Sequence, residues 1–520
     1  MMNTQTKSLT GAEVALRTVA AAGIDICFAN PGTTELSLVQ ALDRCPQIHP
    51  VLAVFEGVCT GAADGFARVS GRPALALLHL GPGLANGLAN LHNARKGGSP
   101  VVSIVGEHAT WHIAANAPLT SDIATLATPM SNFVRTATQV TSVAADTAAV
   151  IAHSAQLPSG PATLILPADV QWAEIRTEIA KPIIPSPAAP ASADIERAAG
   201  ALRAGSAALV VSGSALRAPG LRLAERIAQA TGCRVLAPTF PPVQDRGGGL
   251  LSPDRIPYAP EAARQLLSPY QSVILAGAGE PVAFFGYPNS RSGLCAEGAE
   301  IIPLCSPSVD PVAALAALVD MLGAPAAHAV SALPRPPAPT GALTSLRMCQ
   351  AIAALQPEGA IMMDEGATTG FPYYGLASGA PPFTYLTLTG GSIGQGLPCA
   401  VGAAAAAPDQ RVICLEGDGS SLYTIQSLWT MAREKQNVTT VICKNRAYAI
   451  LRWELERAKA VPGAASLALT GLDAPEIDFV KIAEGFGVES RAVATAEELN
   501  DALRYSLQTP GPMLIEAQLE

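Results

Sequence analysis

The sequence predicts an α/β protein of three doubly wound parallel-sheet domains, and two observations carry that prediction. Short apolar runs alternate along the chain with Ala/Leu-rich stretches of helical length, the pattern of parallel strands covered on both faces. Such runs include Ala74-Leu-Ala-Leu-Leu78, Ala208-Leu-Val-Val211, Ser272-Val-Ile-Leu-Ala276 and Arg411-Val-Ile-Cys-Leu415. Two proline-dense connectors then divide the chain: Lys181-Pro-Ile-Ile-Pro-Ser-Pro187, and the stretch from Gly323 to Thr340. Proline at that density fits neither helix interiors nor central strands. The expected domains are 1–182, 190–325 and 341–520, each of ordinary domain size.

Bulk composition narrows the function classes. The 520 residues are 49% hydrophobic and only 14% charged, with a net charge of -9. That balance supports large buried cores and carries no electrostatic footprint for nucleic acid or an anionic membrane. No apolar run reaches membrane-spanning length, and Met1 to Thr10 is too polar for a secretion signal. Ten cysteines without a CxxC pair suggest free thiols in a reducing compartment, so a cytoplasmic location is expected.

In the first domain, Asp25-Ile-Cys-Phe28 reads as a strand leading into Ala29-Asn-Pro-Gly-Thr-Thr-Glu35. A second strand, Val51-Leu-Ala-Val-Phe55, delivers Glu56 to the start of a helix running towards Arg68. Taken alone, Glu56 is an acid complementing the helix dipole. His79 ends the strand Ala74–Leu78, four residues before Gly83 of Gly81-Pro-Gly-Leu-Ala-Asn86. An imidazole suits proton traffic near neutrality; the plainer alternative is a strand-end histidine bonded to a backbone carbonyl. His108 and His112 lack a third ligand for a metal. In the middle domain, Gly277-Ala-Gly-Glu280 follows a strand but is too slight for a nucleotide fingerprint.

The third domain carries the strongest motif. Asp418 and Asn445, 27 positions apart, each follow an apolar run: Arg411–Leu415 before Glu416-Gly-Asp-Gly-Ser420, and Val438-Thr-Thr-Val-Ile-Cys443 before Lys444-Asn-Arg446. Between them, Leu422 to Lys435 has the length and apolar spacing of one helix. In the resulting βαβ unit both polar residues emerge at the carboxyl ends of parallel strands, where open α/β sheets bind ligands. A carboxylate, an amide oxygen and a nearby carbonyl suit Mg2+, whose remaining positions go to phosphate and water. Gly417 and Gly419 allow close backbone approach, and Ser420 is read as opening a helix that favours a diphosphate.

This arrangement resembles the diphosphate-anchoring motif of thiamine diphosphate (ThDP) enzymes acting on 2-oxo acids, and the likeness extends over essentially the whole chain. Phe55-Glu-Gly-Val-Cys-Thr-Gly-Ala-Ala-Asp-Gly-Phe-Ala-Arg68 is similar to that superfamily's glutamate-bearing helix, and Gly81–Asn86 to its following turn. Similarity is strongest to the acetolactate synthase and benzoylformate decarboxylase branch. The resemblance implies that Glu56 activates the cofactor's aminopyrimidine. It also implies that Gly391 and Ile393, in Gly390-Gly-Ser-Ile-Gly-Gln-Gly-Leu-Pro398, support that ring. Asp418, Asn445 and the Ala447 carbonyl would hold the metal. Ser420, Thr368 and Thr369 would meet the diphosphate, with Pro31, Asn86, Gly419 and Tyr448 completing the cofactor contacts. Lys444 departs from the commoner asparagine, but the metal ligand is the second position of the pair.

Members of this superfamily release carbon dioxide and differ in what the resulting carbanion meets: a proton, a second carbonyl compound or an oxidant. His79 resembles the acid/base histidine of benzoylformate decarboxylases, and Thr33 stands where those enzymes place a serine on the substrate carboxylate. Ile450 and Glu454 narrow the pocket and make it poor company for a phenyl ring. Glu107 replaces a common glutamine. The expectation is a Mg2+- and ThDP-dependent lyase decarboxylating a 2-oxo acid. Alternatives are an acetolactate synthase-like carboligase and a ThDP-binding protein without appreciable catalysis. The compact middle domain leaves FAD unexpected. The resemblance also implies a homodimer or homotetramer with the cofactor between subunits.

Overall fold

The computed structural model describes residues 8–326 and 333–520, so the polar start of the chain and residues 327–332 of the second proline-rich connector lie outside the described residues. The chain forms two compact units, one of residues 1–185, 337–376 and 388–520, the other of 186–336 and 377–387.

The first unit contains two parallel sheets. Six strands lie in the order His49–Leu52, Ile26–Asn30, Ala74–Leu78, Val101–Glu107, Ala162–Pro167, Phe133–Thr136. The central runs are almost wholly buried and rich in Val, Leu, Ile and Ala, as strands covered on both faces require. The other sheet orders Ile361–Glu365, Val412–Gly417, Val438–Lys444, Met513–Gln518 and Glu489–Val493, again all parallel. Helices Glu56–Ser70 and Gly396–Ala406 pack backbone to backbone in this unit. A Cβ on Gly402 would fall 1.8 Å from the Ala62 carbonyl oxygen, so the close approach requires glycine. Below it, Arg68 pairs with Asp64 one turn earlier on the same helix at 2.8 Å, with side chains only 1% and 0% exposed. Losing one partner of such a buried pair typically costs about 3–5 kcal/mol.

The second unit is a parallel sheet in the order Asp254–Arg255, Arg234–Ala237, Ala207–Val211, Ser272–Ala276, Glu300–Pro303. Val243–Arg246 pairs antiparallel with Phe383–Thr387. The architecture is α/β with three parallel sheets, as the apolar alternation implies.

Several boundaries differ from the sequence reading. The first strand is Ile26–Asn30 rather than 25–28, and the second is His49–Leu52 rather than 51–55. Leu422–Lys435 is not one helix. A turn Asp418–Ser421 is followed by an irregular stretch and then by helix Ser427–Arg433. Thr424 spends its hydroxyl on the Gly394 carbonyl at 3.0 Å, a side-chain bond that competes with helix continuation. Lys435 lies in the left-handed region at φ 52°.

Candidate active site

Glu56 is the first residue of its helix and is 8% exposed. The Asn86 amide donates to its Oε2 at 2.9 Å, which brings two of the expected site residues together. A Cβ on Gly83 would lie 2.9 Å from Glu56 Oε1 and 3.3 Å from the His79 Cβ. The Glu56 carboxylate and the base of the His79 side chain thus flank one glycine, although the sequence separates them by a helix and a strand.

His79 precedes helix Leu80–Gly97, and Leu80 adopts φ 51°. A buried leucine in the left-handed region is strained, and such strain gathers at functional positions. His79 Nδ1 donates to Glu35 Oε2 at 2.7 Å. Glu35 is fully buried and also accepts from the Gly32 N–H at 2.9 Å and the Thr34 hydroxyl at 2.6 Å. Gly106 makes room for it, since a Cβ there would sit 1.8 Å from Glu35 Oε1. With Nδ1 committed to a carboxylate, Nε2 is the ring nitrogen left for chemistry. Sequence reasoning missed Glu35 and Thr34. Thr33, expected at the substrate carboxylate, is exposed, and its neighbour Thr34 lies 3.3 Å from His79 Nδ1. The available signal was the Pro-Gly-Thr-Thr-Glu turn itself, whose acid closes back on the Gly32 amide. Pro31 in that turn is half-buried.

Around this rim, burial pushes the Glu107 carboxyl up, and its Oε1 accepts the His108 N–H at 2.7 Å. His108 and His112 meet edge to face at 5.3 Å.

At the other sheet, Asp418 is 3% exposed and its charge is met by main-chain donors. Its Oδ1 accepts from Gly419 N at 2.9 Å and its Oδ2 from Arg446 N at 2.6 Å. Burial raises the carboxyl above the ordinary aspartate value, with these donors opposing. Asn445 Oδ1 accepts from Ala447 N at 2.9 Å, while its amide donates to Thr369 Oγ1 at 3.2 Å. Three expected residues therefore meet. The Tyr448 ring lies over Gly419, where a Cβ would be 2.4 Å from its Cε1. Ser420 sits in a single four-residue turn, and its hydroxyl donates to buried Glu416 at 2.7 Å. The helix it was read as opening is absent, because that turn ends at Ser421. Thr368 and Ile450 are half-buried, and Glu454 pairs with Arg457 at 2.8 Å.

A second pair of acids went unread. Glu365 accepts from the Gly394 N–H at 2.7 Å and from the Gly396 N–H, at the base of the 390–396 loop that carries Gly391 and Ile393. Burial pushes its carboxyl up to about 7, against the pull of those donors. Burial and the neighbouring Glu365 raise Glu416 in the same direction.

Comparisons with known proteins identify the family. The family described as "Thiamine pyrophosphate enzyme, N-terminal TPP binding domain" matches residues 9–152, and its C-terminal TPP binding domain counterpart matches 372–517. A protein of Mycobacterium tuberculosis (strain ATCC 25618 / H37Rv), provisionally named acetolactate synthase large subunit IlvX, is 49% identical over 98% of both chains. Benzoylformate decarboxylase of Pseudomonas aeruginosa is 32% identical over 95% of this chain and 96% of its own. The structure of a Rhodococcus jostii RHA1 thiamine diphosphate-dependent 4-hydroxybenzoylformate decarboxylase superposes with a TM-score of 0.86 at 25% identity, covering 98% of this chain and 99% of that one. No helix among the described residues is long and apolar enough to cross a membrane. The chain belongs to the thiamine-diphosphate-dependent 2-oxo acid enzyme superfamily, in the branch that includes acetolactate synthases and benzoylformate decarboxylases.

Proposed function

We propose that the protein is a ThDP- and Mg2+-dependent lyase that decarboxylates a 2-oxo acid and releases an aldehyde. The observation that carries this reading is His79, held through Nδ1 by buried Glu35 and set across Gly83 from Glu56.

The residues present fit the implied groups. Asp418, the Asn445 amide oxygen and the Ala447 carbonyl form an all-oxygen set suited to Mg2+, and the buried Asp418 carboxylate gains most from a cation. Thr368, Thr369 and Ser420 would meet the diphosphate, and Thr369 already accepts from the Asn445 amide. When bound, the cofactor supplies the electron sink that lets the carboxylate leave. Glu56 holds a proton at the aminopyrimidine nitrogen, and Asn86 keeps its carboxylate aimed. Gly391 and Ile393 support the ring. His79, once Nε2 has taken up a proton, would pass it to the carbon from which carbon dioxide has left, while Glu35 keeps the Nδ1 hydrogen and fixes the orientation of the ring. Thr33 would meet the substrate carboxylate, and Thr34 stands beside the imidazole. Ile450 and Glu454 favour a small or polar substrate chain over a phenyl ring. We place the cofactor between subunits, with Glu56 from one copy and Asp418 from another, in a homodimer or homotetramer.

A second reading, a carboligase joining the decarboxylated acid to another carbonyl compound, is favoured by the name of the M. tuberculosis relative. NMR product analysis across a panel of 2-oxo acids, with and without an added aldehyde, separates the two. Free aldehyde is expected as the main product; an acyloin or acetohydroxy acid as sole product overturns the lyase reading.

A further inference from the structure

The loop from Gly390 to Gln395 joins strand Phe383–Thr387 to helix Gly396–Ala406 without regular structure. Its buried peptide groups have no ladder of their own, and each needs a partner. One helix supplies them. His92 Nε2 donates to the Gly390 carbonyl at 3.0 Å. Asn93 clamps Ser392 from both sides, its Nδ2 donating to the carbonyl at 2.8 Å and its Oδ1 accepting the N–H at 3.2 Å. Asn90 Nδ2 donates to the Gly394 carbonyl at 3.2 Å. Peptides 390, 392 and 394 are therefore bonded in turn by side chains of helix Leu80–Gly97.

The clamp is itself fixed. Asn93 Nδ2 also donates to Asn90 Oδ1 at 3.0 Å, which locks both amides in one orientation. Asn90 and Asn93 are 3% and 0% exposed, so neither exchanges these bonds for water. A Cβ on Gly390 would lie 2.4 Å from Asn93 Oδ1, so the loop is shaped to the clamp. Asn90 Nδ2 has a second acceptor, the Gly57 carbonyl at 2.9 Å, in the peptide next to Glu56. One amide group therefore touches both the loop and the start of the glutamate helix.

We infer that Asn90, His92 and Asn93 are positioning residues of the cofactor site. They set the backbone that carries Gly391 and Ile393, and through Asn90 they tie it to the peptide following Glu56. This inference rests on the roles proposed above for Glu56, Gly391 and Ile393. None of the three touches a reacting atom; their effect passes through the main chain.

The test uses the full-length protein and the variants Asn93→Asp and His92→Ala. Asn93→Asp keeps the shape and the acceptor but removes the donor to Ser392 and Asn90. Amide hydrogen exchange of residues 388–396 is measured in the apoprotein, and ThDP binding is titrated with Mg2+ by near-ultraviolet circular dichroism. For Asn93→Asp, exchange about tenfold faster and a Kd for ThDP about tenfold weaker are expected, the scale of one lost hydrogen bond. His92→Ala moves both in the same direction by less. Wild-type exchange and wild-type Kd in both variants overturn the inference. If Asn93→Asp does not fold, His92→Ala decides, because His92 is only half-buried and its loss leaves the asparagine pair in place. If the wild-type protein binds no ThDP, the proposed function fails, while exchange in the apoprotein still decides whether the clamp holds the loop.

Discussion

The two sheets of the first unit treat their functional acids differently. Around the 26–107 strands, Glu56 and Glu35 are met mainly by side chains: the Asn86 amide for one, and the His79 imidazole and Thr34 hydroxyl beside the Gly32 N–H for the other. Around the 361–444 strands they are met mainly by the main chain: Asp418 by the amides of Gly419 and Arg446, Glu365 by those of Gly394 and Gly396. Main-chain donors are fixed by the fold and do not change with residue type. Side-chain partners are set residue by residue. On the proposed roles, the C-terminal half would hold the cofactor through its main chain, while the N-terminal half would carry the side chains that select the reaction.

Breaking the N-terminal half at its centre gives the largest effect. Glu56→Gln removes the proton-holding carboxylate and preserves shape, and turnover is expected to fall by about 10^2- to 10^4-fold, the scale of one acid–base group. Steady-state carbon dioxide release checks this, with ThDP affinity measured alongside. Undiminished turnover would take Glu56 out of the mechanism and dissolve the distinction between the two halves.

Glu35→Gln tests the same half one step removed. The amide leaves Gly32 and Thr34 nearly satisfied but presents either a donor or a weaker acceptor to His79 Nδ1, so the tautomer is no longer fixed. Decarboxylation is expected to slow by about 10- to 100-fold, the scale for losing a partner that orients a functional histidine. His79→Ala should cost at least as much. If proton delivery is the step affected, the fraction of product released as aldehyde falls relative to coupled product, and NMR reads that ratio. An unaltered rate and ratio would reduce the Glu35–His79 pair to a structural contact.

The contrast also accounts for what the sequence made legible. The Asp418 and Asn445 spacing was readable because strand, turn and ligand are contiguous and each partner of Asp418 lies on its own strand end or the next. Glu56 was readable once that motif suggested a chemistry. His79 was visible as a strand-end residue, but its partner lies 44 positions away in the turn after a neighbouring strand, and strand order rather than local spacing brings them together. Thr33 and Thr34 differ by one position in a turn, and periodicity has no power to choose between them there. The single helix read over 422–435 failed because Thr424 is claimed by a loop 30 residues earlier. Asn90 and Asn93 lay unremarked inside an amphipathic helix, their partners some 300 positions distant.

The main-chain cradle has its own signature, smaller and visible in stability rather than rate. Burial holds the Glu365 carboxyl up at about 7, above the 4.5 of the unfolded chain. Between those values the folded protein keeps a proton that the unfolded chain has released, so stability is greatest below the window and falls as pH rises through it. Glu416, raised by burial and by Glu365 beside it, contributes with the same sign. For the apoprotein, Tm should therefore drop by about 2 °C more between pH 5 and pH 7 in wild type than in Glu365→Gln, which has no proton to lose there. Differential scanning calorimetry at matched ionic strength measures the difference. The glutamine keeps one oxygen, which accepts from only one of the 394 and 396 amides, so its Tm is offset at every pH and the comparison is of the pH dependence alone. A parallel fall in both proteins would mean that Glu365 is ionised throughout and that its main-chain donors outweigh its burial.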